Sequence, residues 1–238
     1  MFGLVTDGGL VAAAKHRHTR ENARCIGALF HRFIEQSRFE LGQLTHFAIG
    51  IGPGTFIGTR TGIAFANGFC VSRQLPMVAV GTLRAVAAGA LMRGSYPVCV
   101  RSARRNSYYA GIYDTDLRAQ PDARTLVPIY EGEVPQTELA GLLLRTRQAH
   151  AENRHIRILT DDCNVLELMR QAELPPGSSL ELTCDFPDPY GMALLALGAI
   201  RRGDTVQFAD ALYLSLIHIS EPTRPLYISY AVFCSKKK

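Results

Sequence analysis

Gly50-Ile-Gly-Pro-Gly-Thr-Phe-Ile-Gly-Thr-Arg-Thr-Gly62 carries five glycines in thirteen positions. A short apolar strand, His46 to Gly50, leads into it, and a helix ending near Arg73 follows. Two readings are open. Glycines at a helix start let backbone amides approach an anion, so the loop could cradle a phosphate. It could equally be a tight strand-to-helix turn made of small residues for packing. It is not a Walker A loop, because no Gly-Lys-Ser/Thr follows to reach terminal phosphates. It is not G-x-G-x-x-G either, and no acidic residue stands about twenty positions on to hold a ribose.

The helix after the loop continues the small-residue theme. Gly58, Gly62 and Ala66 are spaced four apart, as are Ala64 and Gly68. Such stripes let two backbones approach closely. Each interior glycine costs about 1 kcal/mol of helix propensity, so a close contact should offset it. Spacing leaves open whether that contact is internal or with another chain.

Outward from the loop, Gly3 to Val5 and Gly9 to Lys15 read as a hairpin around Asp7-Gly8-Gly9. A helix is expected from about Thr19 as N-cap, with Ile26, Leu29, Phe30, Phe33 and Ile34 on one apolar face. Met77 to Val80 is a buried strand, and Thr82 to Met92 a helix. Pro97 to Arg101 and Tyr108 to Tyr113 form a hairpin turning near Asn106. Glu138 to Arg147 is a helix, Ile156 to Leu159 a strand and Val165 to Ala172 a short helix. Pro189 opens a last helix reaching Arg202, with Gly203 at its end. This order predicts a mixed-sheet α/β fold. Two lobes are expected, residues 1–96 and 97–213, with the break near Gly94 to Pro97.

The chain of 238 residues is 47% hydrophobic and 20% charged, enough for two small cores. Its net charge of +5 is no nucleic-acid signature, because Arg224 and Lys236 to Lys238 against Glu221 account for three of the five. The six cysteines form no C-x-x-C pair, which fits free thiols and a cytoplasmic setting. No stretch has the order of a signal peptide. The longest apolar run, Leu75 to Met92, is broken by Pro76 and Arg84, whereas a membrane span needs about 20 apolar residues.

Residues 214–238 stand apart. Before Leu214 there is one lysine against 21 arginines, and the chain then closes on three lysines. Leu214 to Arg224 resembles a translated sequencing adapter, and Ile228 to Cys234 resembles the primer sequence that follows it. The segment LYISYAVF also has a strand pattern. The expectation is a non-native, adapter-derived tail, and residues 214–238 carry no weight in the fold reading above.

Several separated motifs share one likeness. IGIGPGTFIGTRTGIAFANGF (49–69) resembles the GPGSFTGLRIG signature of the TsaB family, with Thr55 for the serine. VAVGTLRAVA (78–87), VRSARRNSYYAGIYD (100–114) and FADALYL (208–214) resemble further family segments, in the family's order. The resemblance implies an actin-like (ribonuclease H-like) fold of two lobes. It also implies a non-catalytic dimerisation subunit of the machinery that makes threonylcarbamoyladenosine in tRNA, pairing with the catalytic relative TsaD. A TsaE-like ATPase and a homodimer are further implied partners, with tRNA met only through the complex. The family's pairing helices correspond to about Thr19 to Gln36 and Gly58 to Arg73. The expected partner residues are therefore Ile26, Phe30, Phe33, Gly58, Gly62 and Ala66. The family's first strand, with its Asp-Thr-Ser motif, is expected to be missing. Ser102 stands where the family has aspartate.

Other chemistry is set aside on the residues. His16, His18 and Glu21 lack H-E-x-x-H spacing and read as a polar lead-in to a helix. Asp161 and Asp162 read as helix caps. Arg101, Arg104 and Arg105 could touch RNA phosphates but also fit a solvated hairpin edge. No catalytic, cofactor or metal residue is assigned. An independent ATP-dependent enzyme of the same fold is the alternative.

Overall fold

The computed structural model describes residues 1–15, 25–91, 96–103, 106–115, 126–150, 156–160, 162–171, 178–182, 189–212, 214 and 232–236. Thr19, the expected N-cap, lies outside them. The chain forms two compact units. The first comprises residues 1–82, 192–213 and 221–238, and the second residues 83–191 and 214–220.

The sheet of the first unit runs β2-β1-β10-β3-β4. Its strands are β1 (Phe2–Thr6), β2 (Gly9–Ala14), β3 (Leu44–Gly52), β4 (Met77–Gly81) and β10 (Val232–Lys236). The predicted hairpin is β1 and β2, antiparallel. Two helices pair with this sheet in sequence, α1 (Ile26–Gln36) and α2 (Phe56–Arg73). The helical spacing read from Ile26, Phe30, Phe33 and Ile34 becomes the buried face of α1. These side chains meet Phe2 and Leu4 of β1 and Phe47 and Ile49 of β3 in one core. The element α3 (Thr82–Leu91) follows β4 directly.

The sheet of the second unit runs β7-β6-β5-β8-β9. Here β5 is Tyr96–Ser102, β6 Ser107–Thr115, β7 Leu126–Pro135, β8 Ile156–Thr160 and β9 Ser178–Leu182. The predicted hairpin is β5 and β6, antiparallel, with Asn106 at its turn in a left-handed conformation, φ 59°. Helices α4 (Gln136–His150) and α5 (Cys163–Gln171) belong to this unit, and α6 (Pro189–Arg202) starts in it. Val98, Val100, Ile112, Leu139, Leu143, Ile158 and Val165 fill its core. The Asp162 carboxylate accepts from the Asn164 backbone N–H at 2.8 Å, so Asp162 caps α5 as expected. Asp161 lies outside the described residues.

The sequence reading sets the break near Gly94 to Pro97; in the structure, α3 beyond Thr82 groups with the second unit and the chain from Met192 with the first. A linear reading marks breaks in composition, whereas a domain is defined by which segments share a core. Strands β7 and β9 were not anticipated. Pro128 and Pro135 interrupt the pattern of β7, and their missing N–H groups are tolerated on an edge strand, where β7 stands. Within residues 214–238, Val232–Lys236 form β10. Its backbone lies between β1, to which it is parallel, and β3, to which it is antiparallel.

A buried polar group sits within the second unit. Tyr113 is 0% exposed, and its hydroxyl makes no well-formed hydrogen bond. Burial, chiefly, and the nearby Glu131 carboxyl push that hydroxyl upward in pKa. Burial also pushes the Glu131 carboxyl up, while Tyr113 and Arg84 pull it back. Arg84 is held at 3.1 Å on the Leu126 carbonyl. Arg84 thereby ties α3 to β7 within the second unit.

Candidate functional site

The glycine-rich loop joins the end of β3 to the start of α2. Gly52 has φ +109°, a conformation that favours glycine, and its peptide bond to Pro53 is cis. A side chain at Gly52 would begin 3.2 Å from the Leu212 carbonyl oxygen and 3.3 Å from the Thr59 methyl. The reason is a strap formed by residues 206–212. Val206 pairs with Met77 through two backbone bonds, of 2.8 and 2.9 Å. The Leu212 N–H then donates to the Ile51 carbonyl at 2.8 Å. Between them, Asn67 of α2 bonds Ala209 on both of its backbone groups: Nδ2 donates to the carbonyl at 3.1 Å and Oδ1 accepts from the N–H at 3.0 Å. Of the two readings of the loop, this geometry is the packing turn.

Asn67→Ala leaves both backbone groups of the half-buried strap without partners. The expected cost is about 1–3 kcal/mol, read as a lower urea midpoint with unchanged slope.

Helix α2 starts from Thr55 in an extended conformation, with the Thr59 N–H on the Thr55 carbonyl at 2.8 Å. It ends at Gln74, φ 54°, whose N–H closes back on Cys70 and Val71. The Arg60 guanidinium lies 3.5 Å over the Phe56 ring at the first turn, a cation–π contact. The two small-residue stripes face opposite ways. Gly58, Gly62 and Ala66 are buried with Ile63 and Cys70, on the face that packs against β3. Ala64 and Gly68 are exposed, flanked by Ile57 at 63% and Val71 at 55% exposure. A Cβ at Gly68 would meet nothing within 4 Å.

All six expected partner residues lie on inward faces. Ile26, Phe30 and Phe33 of α1 and Gly58, Gly62 and Ala66 of α2 are buried in the unit's own core. An amphipathic helix turns its apolar stripe to the sheet, so that stripe marks the core first. What the two helices offer outward is Gly27, Ala28, His31 and Arg32 on α1 and Ile57, Ala64, Gly68 and Val71 on α2. The outward stripe of α2 was half legible in the Ala64–Gly68 spacing; Ile57 and Val71 extend it at helical intervals. Nothing in the sequence singled out Asn67.

The remaining candidates are quickly placed. His16, His18, Glu21, Arg104 and Arg105 lie outside the described residues, and Arg101 is half-buried on β5. Among the described residues, no group of three His, Cys, Asp or Glu could hold a metal ion. No helix there is long and apolar enough to cross a membrane. Cys70 is buried in the core of the first unit, and burial pushes its thiol up to about 12.

Comparison with known proteins agrees with this geometry. A family model described as "TsaD: tRNA N6-adenosine threonylcarbamoyltransferase" matches residues 6–123. The tRNA threonylcarbamoyladenosine biosynthesis protein TsaB of Escherichia coli (strain K12) is 37% identical over 71 residues, covering 30% of this chain and 31% of its own length. TsaB of Haemophilus influenzae is 31% identical over 98 residues, 40% of each chain. The chain thus spans well under two thirds of the curated relatives it matches. Two Pseudomonas aeruginosa structures share the fold, each at 19% identity and covering 90% of this chain. One is titled as an uncharacterized protein with similarity to peptidase YEAZ (TM-score 0.66, 98% of its length). The other is titled YeaZ (TM-score 0.64, 99% of its length).

Two mixed sheets, with the glycine-rich turn closing β3 onto α2, define an actin-like (ribonuclease H-like) α/β protein. Within that class the chain is similar to the TsaB proteins of Escherichia coli and Haemophilus influenzae over the segments matched.

Proposed function

We propose that this chain is a non-catalytic dimerisation subunit in the biosynthesis of threonylcarbamoyladenosine in tRNA, and that it acts by pairing with a TsaD-like catalytic chain. The observation that carries the reading is the outward stripe of α2. Ile57, Ala64, Gly68 and Val71 present small and apolar side chains to solvent on one helix face. Such a face lets another backbone approach closely and bury the flanking Ile57 and Val71. The family likeness supplies the partner's class, and it includes this helix. The glycine-rich loop, packed under its strap, is the spacer that orients α2.

Co-expression with the TsaD-like chain of the same source tests this. A heterodimer that co-elutes in size exclusion is expected. Gly68→Arg, placed where there is open space, is expected to weaken the pair by at least about tenfold while leaving the chain's own unfolding midpoint unchanged. A folded chain that ignores the TsaD-like chain, or an unaffected Gly68→Arg pair, overturns the assignment. One observation favours a second reading, an ATP-dependent enzyme of the same fold: the family model matching residues 6–123 describes a transferase. Saturable ATP binding by the isolated chain would favour that reading.

A further inference from the structure

Among the described residues, eight large apolar side chains are exposed, and five of them lie on two adjoining elements. Phe56, Ile57 and Val71 belong to α2, and Val206 and Phe208 to the strap of residues 206–212. The strap is fixed along its length: Val206 on Met77, Ala209 on Asn67 of α2, and Leu212 on Ile51. Ala209 is buried, with both of its backbone groups on Asn67, while its neighbours Phe208 and Asp210 are exposed. Phe208 is 62% exposed, so its ring gains little from burial in its own chain although the backbone beside it is held in place. Asn67 precedes Gly68 and stands one helical turn from both Ala64 and Val71. The mooring of Phe208 therefore lies alongside the outward stripe of α2. Single exposed apolar residues are ordinary on a surface, but several on neighbouring elements mark an interaction face.

The outward faces of α1 and α2 are small for a partner surface. Gly27, Ala28, Ala64 and Gly68 have little or no side chain to bury, which leaves Ile57 and Val71 as the large apolar groups. A stable heterodimer buries about 800 Å² on each side, spread over about 20–30 residues. The strap is bonded to α2 and extends its face with further apolar surface. Resting on the pairing reading above, we propose that the strap is a further ridge of that face and that Phe208 is its apolar anchor, covered by the TsaD-like chain. Aromatic rings are enriched in interface cores because each buries a large area. The partner surface that fits is apolar, with a pocket for one ring beside a closely approaching backbone.

The test titrates the full chain against the TsaD-like chain of the same source. Phe208→Ala is expected to weaken the heterodimer by at least about tenfold and to leave this chain's own unfolding midpoint unchanged, because the ring is already exposed. Val11→Ala is the control. That side chain is 61% exposed on β2, at the opposite edge of the sheet from β4, to which the strap is bonded. Its removal should leave the affinity as in the parent. A photo-crosslinking phenylalanine analogue at position 208 should join this chain to the TsaD-like chain, and the same analogue at position 11 should not. If Phe208→Ala lowers the unfolding midpoint, the crosslink alone decides: with the TsaD-like chain it supports the anchor, and its absence overturns the anchor. A heterodimer as tight in Phe208→Ala as in the parent, or a crosslink at 208 that joins only two copies of this chain, overturns the role of Phe208 and leaves the pairing reading standing. No heterodimer from the parent chains overturns the pairing reading, and this inference with it.

Discussion

The Gly191→Ala chain is expected to lose roughly 3 kcal/mol of stability, the upper end of what overpacking costs. A Cβ built at Gly191, in the first turn of α6, falls 1.9 Å from the Ala85 carbonyl oxygen and 2.6 Å from the Gly89 nitrogen. Both are backbone atoms of α3, so no rotamer change relieves the overlap. The backbone at Gly191 must move off α3, and residues 85–89 lose their close contact with it. Alanine's better helix propensity, worth at most about 1 kcal/mol, does not offset that. Urea unfolding checks the value. Gly68→Ala is the matched control, because nothing lies within 4 Å of that position; it should stabilise by about 0.5–1 kcal/mol. Two glycine-to-alanine changes with opposite signs separate close approach from propensity. If both stabilise, Gly191 does not lie this close to Ala85 and Gly89.

Phe30→Ala is expected to cost about 3–5 kcal/mol, as for a large side chain removed from a packed core. The ring is 4% exposed. It stands 5.7 Å from Phe2, 6.1 Å from Phe47, 5.4 Å from Phe65 and 5.1 Å from Phe69, centroid to centroid. It therefore links α1 to β1, β3 and α2, and its loss leaves four rings around a void. The same variant distinguishes two roles for the inward face of α1. A residue that acts at a partner surface would leave the chain's own unfolding unchanged and weaken only the heterodimer. Loss of stability in the chain alone, measured by thermal or urea unfolding, is the expected result. A cost under about 1 kcal/mol would mean that this face is not the core.

Much of the fold could be read locally. Helical spacing at Ile26, Phe30, Phe33 and Ile34 gave α1 its buried face, and the turn residues near Asp7 and Asn106 located both hairpins. These are short-range signals: a period, a cap or a left-handed turn is decided within one or two turns of chain. The glycine-rich loop was legible as a strand-to-helix turn, and its family motif led to the correct fold class. The candidate site was less legible. A small-residue stripe reads the same whether it faces a sheet or a partner, and six residues chosen for a surface proved to be core. The outward stripe became visible only once burial had sorted Gly58, Gly62 and Ala66 from Ala64 and Gly68.

What the sequence by itself determined is therefore local and periodic: which segments are helices and strands, where the chain turns, and the family likeness of residues 49–69. Tertiary structure alone decided the rest. It placed Ala209 on Asn67 and Leu212 on Ile51, contacts that join parts of the chain far apart in sequence. It assigned residues 192–213 to the first unit, and it put Val232–Lys236 between β1 and β3. The physical reason is the same in each case. Backbone donors and acceptors must be paired once buried, and any extended segment that comes alongside can pair them. Which segment does so depends on distances in space that no local pattern encodes.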